Sequence, residues 1–386
     1  MSGNGSAPLA LDRAAVDATL RPLERASMLP PPSFTDPSVL AWELENLFCE
    51  DWICAGHVSA VAEPGDYLMR DLGPESLFVI RGTDGEVRAF HNVCRHRAAR
   101  IFSEPQGHVR GRIRCPYHAW SYGFDGSLQG TRHTEGLEDF DPSCFGLVPI
   151  AVEVVGGLVM VSLADQPGPV ARHVGELAGW LERYSLGRLA PGGSRDYEVA
   201  ANWKAIAENY NECLHCPGVH PELNALSDYA SGEEVTGEGA WCGGSMTLNE
   251  GAETMGKNGG ASRPPIAGLP EDELRYVYYF VLFPNALVSL HPDYVMLHTL
   301  WPREPGRTEV TCEWLFEPAT IAAEGFDPGD AISFWDQVNR EDWHVCELSQ
   351  RGMGSRGYTA GRYSTHEGDV HAFDSMVANH YLKGIA

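Results

Sequence analysis

The stretch CRHRAARIFSEPQGHVRGRIRCPYHAW, residues 94–120, decides how the rest of the chain is read. Its ends carry Cys94-Arg95-His96 and Cys115-Pro116-Tyr117-His118, a C-x-H pair and a C-x-x-H pair separated by 18 residues. Two thiolates and two imidazoles suit either a tetrahedral zinc or an iron–sulfur cluster of mixed ligation. The even division of ligand types between two arms favours the cluster, with both Cys on one iron and both His on the other. Neutral imidazole in place of thiolate makes such a site less negative and lifts its reduction potential to roughly −150 to +300 mV. A centre in that range can take electrons from a ferredoxin-type donor and pass them to a catalytic iron.

The chain around this stretch has 386 residues, enough for two domains and a substantial core. A formal net charge of −25 argues against non-specific binding to nucleic acid or to anionic membranes, and fits a cationic substrate or a basic redox partner. The grouping of Cys94, Cys115, Cys213 and Cys216 with histidines points to metal chemistry in a reducing compartment and not to a disulfide framework. Met1 to Ser6 lack the basic and apolar regions of a secretory signal, and no run approaches the length of a membrane span. The expectation is a cytoplasmic protein.

Taken in order, residues 1–37 read as a partly ordered arm, Pro-, Ala- and Gly-rich, with one helix near 11–20. Asp36-Pro37 opens a helix from Ser38 to about Phe48, because Asp caps and Pro suits the first turn. From Trp52 to about Leu163 the pattern is of short strands: Tyr67–Leu72, Ser76–Ile80, Val87–Val93, Arg112–Arg114 and Gly157–Ser162. Both Cys/His arms follow strands in this all-β block. A short connector helix, Val174 to Tyr184, comes next. Tyr276–Phe283, Ala286–Leu290, Tyr294–Trp301 and Thr308–Glu317 then read as an antiparallel meander. The Gly-rich segment from Gly232 to Pro270 reads as a lid or as a surface loop.

Ala201 to His220, ANWKAIAENYNECLHCPGVH, carries a second constellation. Trp203, Ile206, Ala207, Tyr210 and Leu214 recur at helical spacing, which predicts a helix reaching Cys216 with those residues packed inward. Glu208, Glu212 and His215 fall together on the opposite face, and Pro217 leaves His220 in the turn beyond. Three readings stay open here: a solvated acidic face, a zinc site of Cys213, Cys216 and His220, or part of a non-haem iron centre. An iron with two histidines and one carboxylate keeps open positions for dioxygen. The predicted helix over 329–350 offers a carboxylate: Asp342 shares a stripe with Ile332, Trp335 and Cys346, while Asp336, Glu341 and Glu347 point away. A carboxylate on an apolar stripe needs a cationic partner or a metal.

On the Cys/His arms and the flanking Ala119-Trp120-Ser121-Tyr122-Gly123, the chain resembles the Rieske [2Fe–2S] domain. With Asn202-Trp203-Lys204, Glu208-Asn209-Tyr210, His215 and His220 added, residues 38–386 resemble the α-subunit of Rieske non-haem iron oxygenases. The resemblance implies an α+β protein: a small all-β Rieske domain, 52–165, joined to a helix-plus-antiparallel-sheet catalytic domain of helix-grip, START-like type, 166–386. Residues 1–37 would be an N-terminal arm and 38–51 a helix packing with the catalytic domain. It implies Cys94, His96, Cys115 and His118 as cluster ligands, and His215, His220 and Asp342 as ligands of a mononuclear Fe(II). Glu208, Asn209 and Glu212 would serve catalysis, with Glu212 bridging to a cluster histidine of a neighbouring subunit in a homotrimer. Electrons would come from a separate flavin- or ferredoxin-type reductase.

Within that family the runs Glu212-Cys213-Leu214-His215-Cys216-Pro217, His291-Pro292-Asp293-Tyr294-Val295-Met296 and Cys312-Glu313-Trp314-Leu315-Phe316 resemble the branch that oxidises N-methylated amines of the betaine, choline and stachydrine type. That resemblance implies O2-dependent N-demethylation with release of formaldehyde. The alternatives are hydroxylation of a small aromatic acid or another C–H bond, an electron carrier holding the cluster alone, and two structural zinc sites. A quaternary ammonium group is held by aromatic faces and a nearby carboxylate. Tyr276, Tyr278, Tyr279, Phe280, Phe283, Tyr294 and Trp301 are available, with two or three at most expected to line a pocket.

Overall fold

The computed structural model describes residues 8–385. The chain forms two compact units: Phe48–Val170, and the flanking sequence up to Leu47 and from Ala171 onward.

The first unit is made of short strands. Seven form an antiparallel sheet in the order Ile53–His57, Leu158–Ser162, Pro149–Val155, Val87–His91, Glu75–Arg81, Asp66–Leu72 and Gln106–His108. Ile113–Arg114, Ser121–Tyr122 and Leu128–Gly130 form a smaller sheet. Phe78, Ile80, Phe90, Ile113, Trp120 and Tyr122 pack into one core that also encloses Cys94 and Cys115. The turn at Asp125-Gly126 needs its glycine: φ is +81°, and a Cβ there would lie 2.4 Å from the Phe90 ring.

The second unit is built on a seven-stranded antiparallel sheet. Its order is Ala190–Val199, Arg307–Phe316, Val295–Glu304, Ala286–Leu290, Tyr276–Leu282, Trp241–Thr247 and Glu233–Glu234. The four-strand meander is therefore the middle of a wider sheet. The first strand starts where the sequence reads as a connector, and it carries a register shift between Pro191 and Gly193. The Gly-rich segment contributes two strands of that sheet, Glu233–Glu234 and Trp241–Thr247, and runs on without further strands from 248 to 270. The principal helices of this unit are Trp203–Tyr210, Gly329–Met353 and Gly368–Gly384.

The N-terminal arm is better ordered than its composition predicts. Asp12 caps the helix Arg13–Thr19 by accepting from the Ala14 amide, and Val16, Ala26, Leu29 and Phe34 are buried. Asp36 caps Pro37–Glu43 in the same way, as expected.

The Asn-Trp-Lys run shows why the Trp203–Tyr210 helix starts where it does. Asn202 Oδ1 accepts from the Lys204 amide at 3.0 Å, and Asn202 Nδ2 donates to the Pro305 carbonyl at 2.8 Å. Trp203 Nε1 and Lys204 Nζ both donate to Glu43, at 3.0 and 2.6 Å. The Lys204 and Glu43 side chains are wholly buried, and the Tyr381 hydroxyl also donates to Glu43.

Candidate metal centres and active-site cavity

The two Cys/His arms use the same backbone device. In each, the amide four residues after the Cys returns to the Cys carbonyl: Ala98 N to Cys94 O and Ala119 N to Cys115 O, both 3.1 Å. Each Cys amide then bonds one residue further on, to Ala99 O at 2.9 Å and Trp120 O at 2.8 Å. Ala98 and Ala119 turn the chain at φ of 54° and 60°, a conformation costing roughly 1–2 kcal/mol that the two hydrogen bonds over-determine. Cys94 and Cys115 are free thiols, each 2 % exposed, while His96 is exposed and His118 half-buried. The two imidazole centroids are 4.7 Å apart, and Trp120 stacks on His96 at 4.8 Å.

Donors surround the sulfurs. Tyr122 Oη lies 3.2 Å from Cys94 Sγ, and the Tyr117 and His118 amides point at Cys115 Sγ. Burial pushes the Cys115 thiol above its ordinary pKa, against these amides. Two buried sulfurs ringed by donors, with two imidazoles at the rim, fit a [2Fe–2S] cluster whose histidine side faces outward.

The second constellation departs from the predicted helix in an informative way. The helix stops at Tyr210, and Leu214, expected on the packed face, is exposed. Glu212 causes the break: its Oε2 accepts from the Leu214 amide at 2.5 Å and the His215 amide at 3.4 Å, competing with the helical ladder. A short helix, Cys216–Val219, follows and delivers His220 at its end. Cys213 and Cys216 are joined as a disulfide with their Cα atoms 5.0 Å apart, so the expectation that these thiols serve a metal is corrected. The zinc reading of Cys213, Cys216 and His220 falls with it.

This turn brings His215 and His220 to Asp342 on the Gly329–Met353 helix. His215 Nε2 is 3.2 Å and His220 Nε2 2.8 Å from Asp342 Oδ1, and one ligand atom from each residue lies within 4.8 Å of the others. The other ring nitrogens are held by acids: His215 Nδ1 donates to Glu212 Oε1 at 2.6 Å, and His220 Nδ1 to Glu341 Oε2 at 2.7 Å. Carboxylate-held histidines presenting Nε2 beside a third carboxylate are the donor set that a two-histidine, one-carboxylate iron site requires. Burial lowers the His215 pKa, but hydrogen bonds to Asp342 and Glu212 outweigh it and carry the group to about 10. Burial raises Asp342, and the two histidines more than reverse that. The pull of three carboxylates on two imidazoles is the field that a divalent cation would satisfy.

Glu341 is the residue that the wheel misplaces: it points away from the apolar stripe, yet it reaches His220. Replacing it by Gln is expected to leave the cluster intact and to weaken mononuclear iron binding by about 10- to 100-fold, measured by competition with a chelator.

A cavity of about 430 Å³ opens at the triad, walled by Asn209, Glu212, Tyr279 and Trp335 among others. Of the seven strand aromatics named as available, Tyr279 alone reaches this wall. Trp335, from the long helix, and Tyr210 and Tyr229, from outside the sheet, are the other large rings there. Asn209 Nδ2 is 3.5 Å from His215 Nε2. Glu208 does not line this cavity. It is buried, and among the described residues no N–H or O–H donor reaches its Oε1; the side chain faces Asp374 of the C-terminal helix. Burial first, then Asp374, raises its pKa well above the carboxylate range.

Residues 186–383 match the family described as ring hydroxylating alpha subunit (catalytic domain), and residues 51–141 the Rieske [2Fe-2S] domain. The glycine betaine monooxygenase oxygenase subunit of Chromohalobacter salexigens is 32% identical, over 92% of this chain and 86% of its own. The carnitine monooxygenase oxygenase subunit of Escherichia coli K12 is 30% identical, over 87% of this chain and 86% of its own. Among solved structures, the quaternary ammonium Rieske monooxygenase CntA superposes with a TM-score of 0.83 at 26% identity, covering 97% of this chain and all of that one (100%). These matches and the two metal-ready sites place the chain in the family of Rieske non-haem iron oxygenases, as an oxygenase subunit of the ring-hydroxylating alpha type.

Proposed function

We propose that this chain is the terminal oxygenase of a monooxygenase that hydroxylates an N-methyl carbon of a quaternary or tertiary amine. The observation that carries this reading is the His215, His220 and Asp342 triad opening into a cavity walled by carboxylates and by the Tyr279 and Trp335 rings. Relatives named for glycine betaine and carnitine support it. An iron held by the triad supplies dioxygen activation, and a [2Fe–2S] cluster held by Cys94, His96, Cys115 and His118 supplies electrons.

The balance is simple. One O2, two electrons and two protons convert N–CH3 to N–CH2OH and water, and the C–N bond then breaks to give formaldehyde and the demethylated amine. The chain's own groups position and insulate. Glu212 holds the Nδ1 proton of His215, fixing which ring nitrogen faces the cavity. Asn209 sits against the opposite nitrogen of the same ring. Tyr279 and Trp335 offer faces for an ammonium group and exclude water around it.

The reading extends to a homotrimer in which Glu212 meets a cluster histidine of the neighbouring subunit, to a separate reductase, and to the cytoplasm. Among the described residues no helix is long and apolar enough to cross a membrane. The domains in this reading are 52–165 for the cluster and 166–386 for the iron, after the 1–37 arm and the 38–51 helix.

The test is anaerobic reduction of the holoenzyme followed by oxygen, with a panel of N-methyl amines and aromatic acids. Formaldehyde in step with oxygen uptake is the expected result; a phenol or diol without formaldehyde overturns it. In the same assay Glu212→Gln, refilled with Fe(II) to full occupancy, should keep the cluster and lose turnover by about 10- to 100-fold. Unchanged coupled turnover would remove Glu212 from the electron path.

A further inference from the structure

The cavity wall has a one-sided charge. Glu212, Glu233, Glu234, Asp342 and Asp369 line it, and among the described residues lining it there is no Lys or Arg. Glu212 and Asp342 are engaged with the histidines. Glu234 and Asp369 are not, and the sheet register shows how they are placed. Glu234 pairs with Gly244, and Gly244 pairs with Tyr279, so the three lie in one row across adjacent strands and share a face. Gly244 has no side chain, which leaves a gap of roughly 10 Å, two strand spacings, between the backbones of Glu234 and Tyr279.

Asp369, in the first turn of the Gly368–Gly384 helix, hangs over this gap: a Cβ on Gly244 would lie 3.3 Å from its Oδ2. The Glu234 carboxylate reaches the same place from the other side, against the backbone of Gly368. Burial, then the charge of Glu234, raises Asp369 to about 6, against the Gly243 amide that donates to it. Independently, the Tyr279 hydroxyl and Asn211 Nδ2, both in this wall, are buried and have no hydrogen-bond partner among the described residues.

Resting on the demethylase reading above, we propose that Glu234 and Asp369, facing each other over Gly244, receive a cationic centre of the substrate, and that the enzyme selects amines of net positive charge over zwitterions. A cation in the gap meets two carboxylates on one side and lies within the ~6 Å reach of the Tyr279 ring on the other. A carboxylate on the substrate meets no fixed cation in the wall and two negative charges instead.

The probes are choline, a cation, and glycine betaine, a zwitterion with the same trimethylammonium group. Binding to the metal-loaded holoenzyme is measured by calorimetry, and formaldehyde is scored in parallel. Choline should bind about tenfold more tightly than glycine betaine. In the Glu234→Gln, Asp369→Asn double variant that ratio should fall to near one, mainly through weaker choline binding. Glu234→Lys should reverse the preference. Equal binding of the two probes by the unaltered enzyme, or an unchanged ratio in both variants, overturns charge selection even where formaldehyde is released. Absence of formaldehyde from every amine would sink the demethylase reading, and the binding ratio would still decide this one.

Discussion

Asp342→Ala is expected to lower the iron content from about three to about two per chain while leaving the visible and EPR signature of the Rieske cluster unchanged. Substrate-dependent oxygen uptake should fall by a factor of about a thousand or more, because several kcal/mol of metal assistance disappear with the ion. The argument rests on position. Asp342 Oδ1 is the atom on which both imidazoles converge, at 3.2 and 2.8 Å, and among the described residues no other acid joins that group. Glu212 and Glu341 cannot replace it, because each is committed to a Nδ1 on the far side of a ring. The variant therefore keeps two oriented histidines and loses the third point of the facial set. Adding Fe(II) in excess should restore little. A variant that retains three irons and full uptake would remove Asp342 from the centre.

The cluster arms were legible in the sequence because ligand type and spacing are chemical constraints that no packing context alters. The long helix was legible too, since Asp327-Pro328 marks its start and its apolar stripe runs from Ala331 to Cys346, about four turns of Gly329–Met353. The helix over 202–216 was legible only in its first half. Periodicity continues through Leu214, but Glu212 offers the backbone a competing acceptor, and a hydrophobic pattern does not register such competition. Glu341 escaped for a related reason: a helical wheel sorts residues into core and solvent and does not foresee a second element, carrying His220, arriving on the polar side. The strand Ala190–Val199 was hidden by Pro191-Gly192-Gly193, where a register shift breaks the alternation. Glu233 and Glu234 look like turn residues until the sheet edge places them in the cavity wall.

The second large effect is on stability. Lys204→Met is expected to cost about 3–5 kcal/mol, because the Glu43 carboxylate would stay wholly buried without its cation. For a unit of this size that corresponds to a fall in Tm of roughly 6–20 °C. Desolvation lowers the Lys204 pKa and Glu43 opposes it, so each charge is tolerable only in the presence of the other. Glu43→Gln together with Lys204→Met should recover most of the loss, since a neutral pair of similar volume carries no desolvation penalty. Trp203 Nε1 keeps its acceptor in the Gln carbonyl, and the Tyr381 hydroxyl, which donates to the other Glu43 oxygen, can accept from the Gln amide instead. Equal losses in the single and double variants would show that packing of the Lys204 stem between Phe34 and Trp203, not charge, holds this junction. The pair ties the Pro37–Glu43 helix and the C-terminal helix to the first turn of the helix that ends at the iron-site turn. Iron occupancy in the double variant then separates two roles. Recovery of Tm with full iron makes the ion pair a fastener only, whereas recovery with iron lost shows that its geometry sets the register of Glu212 and His215.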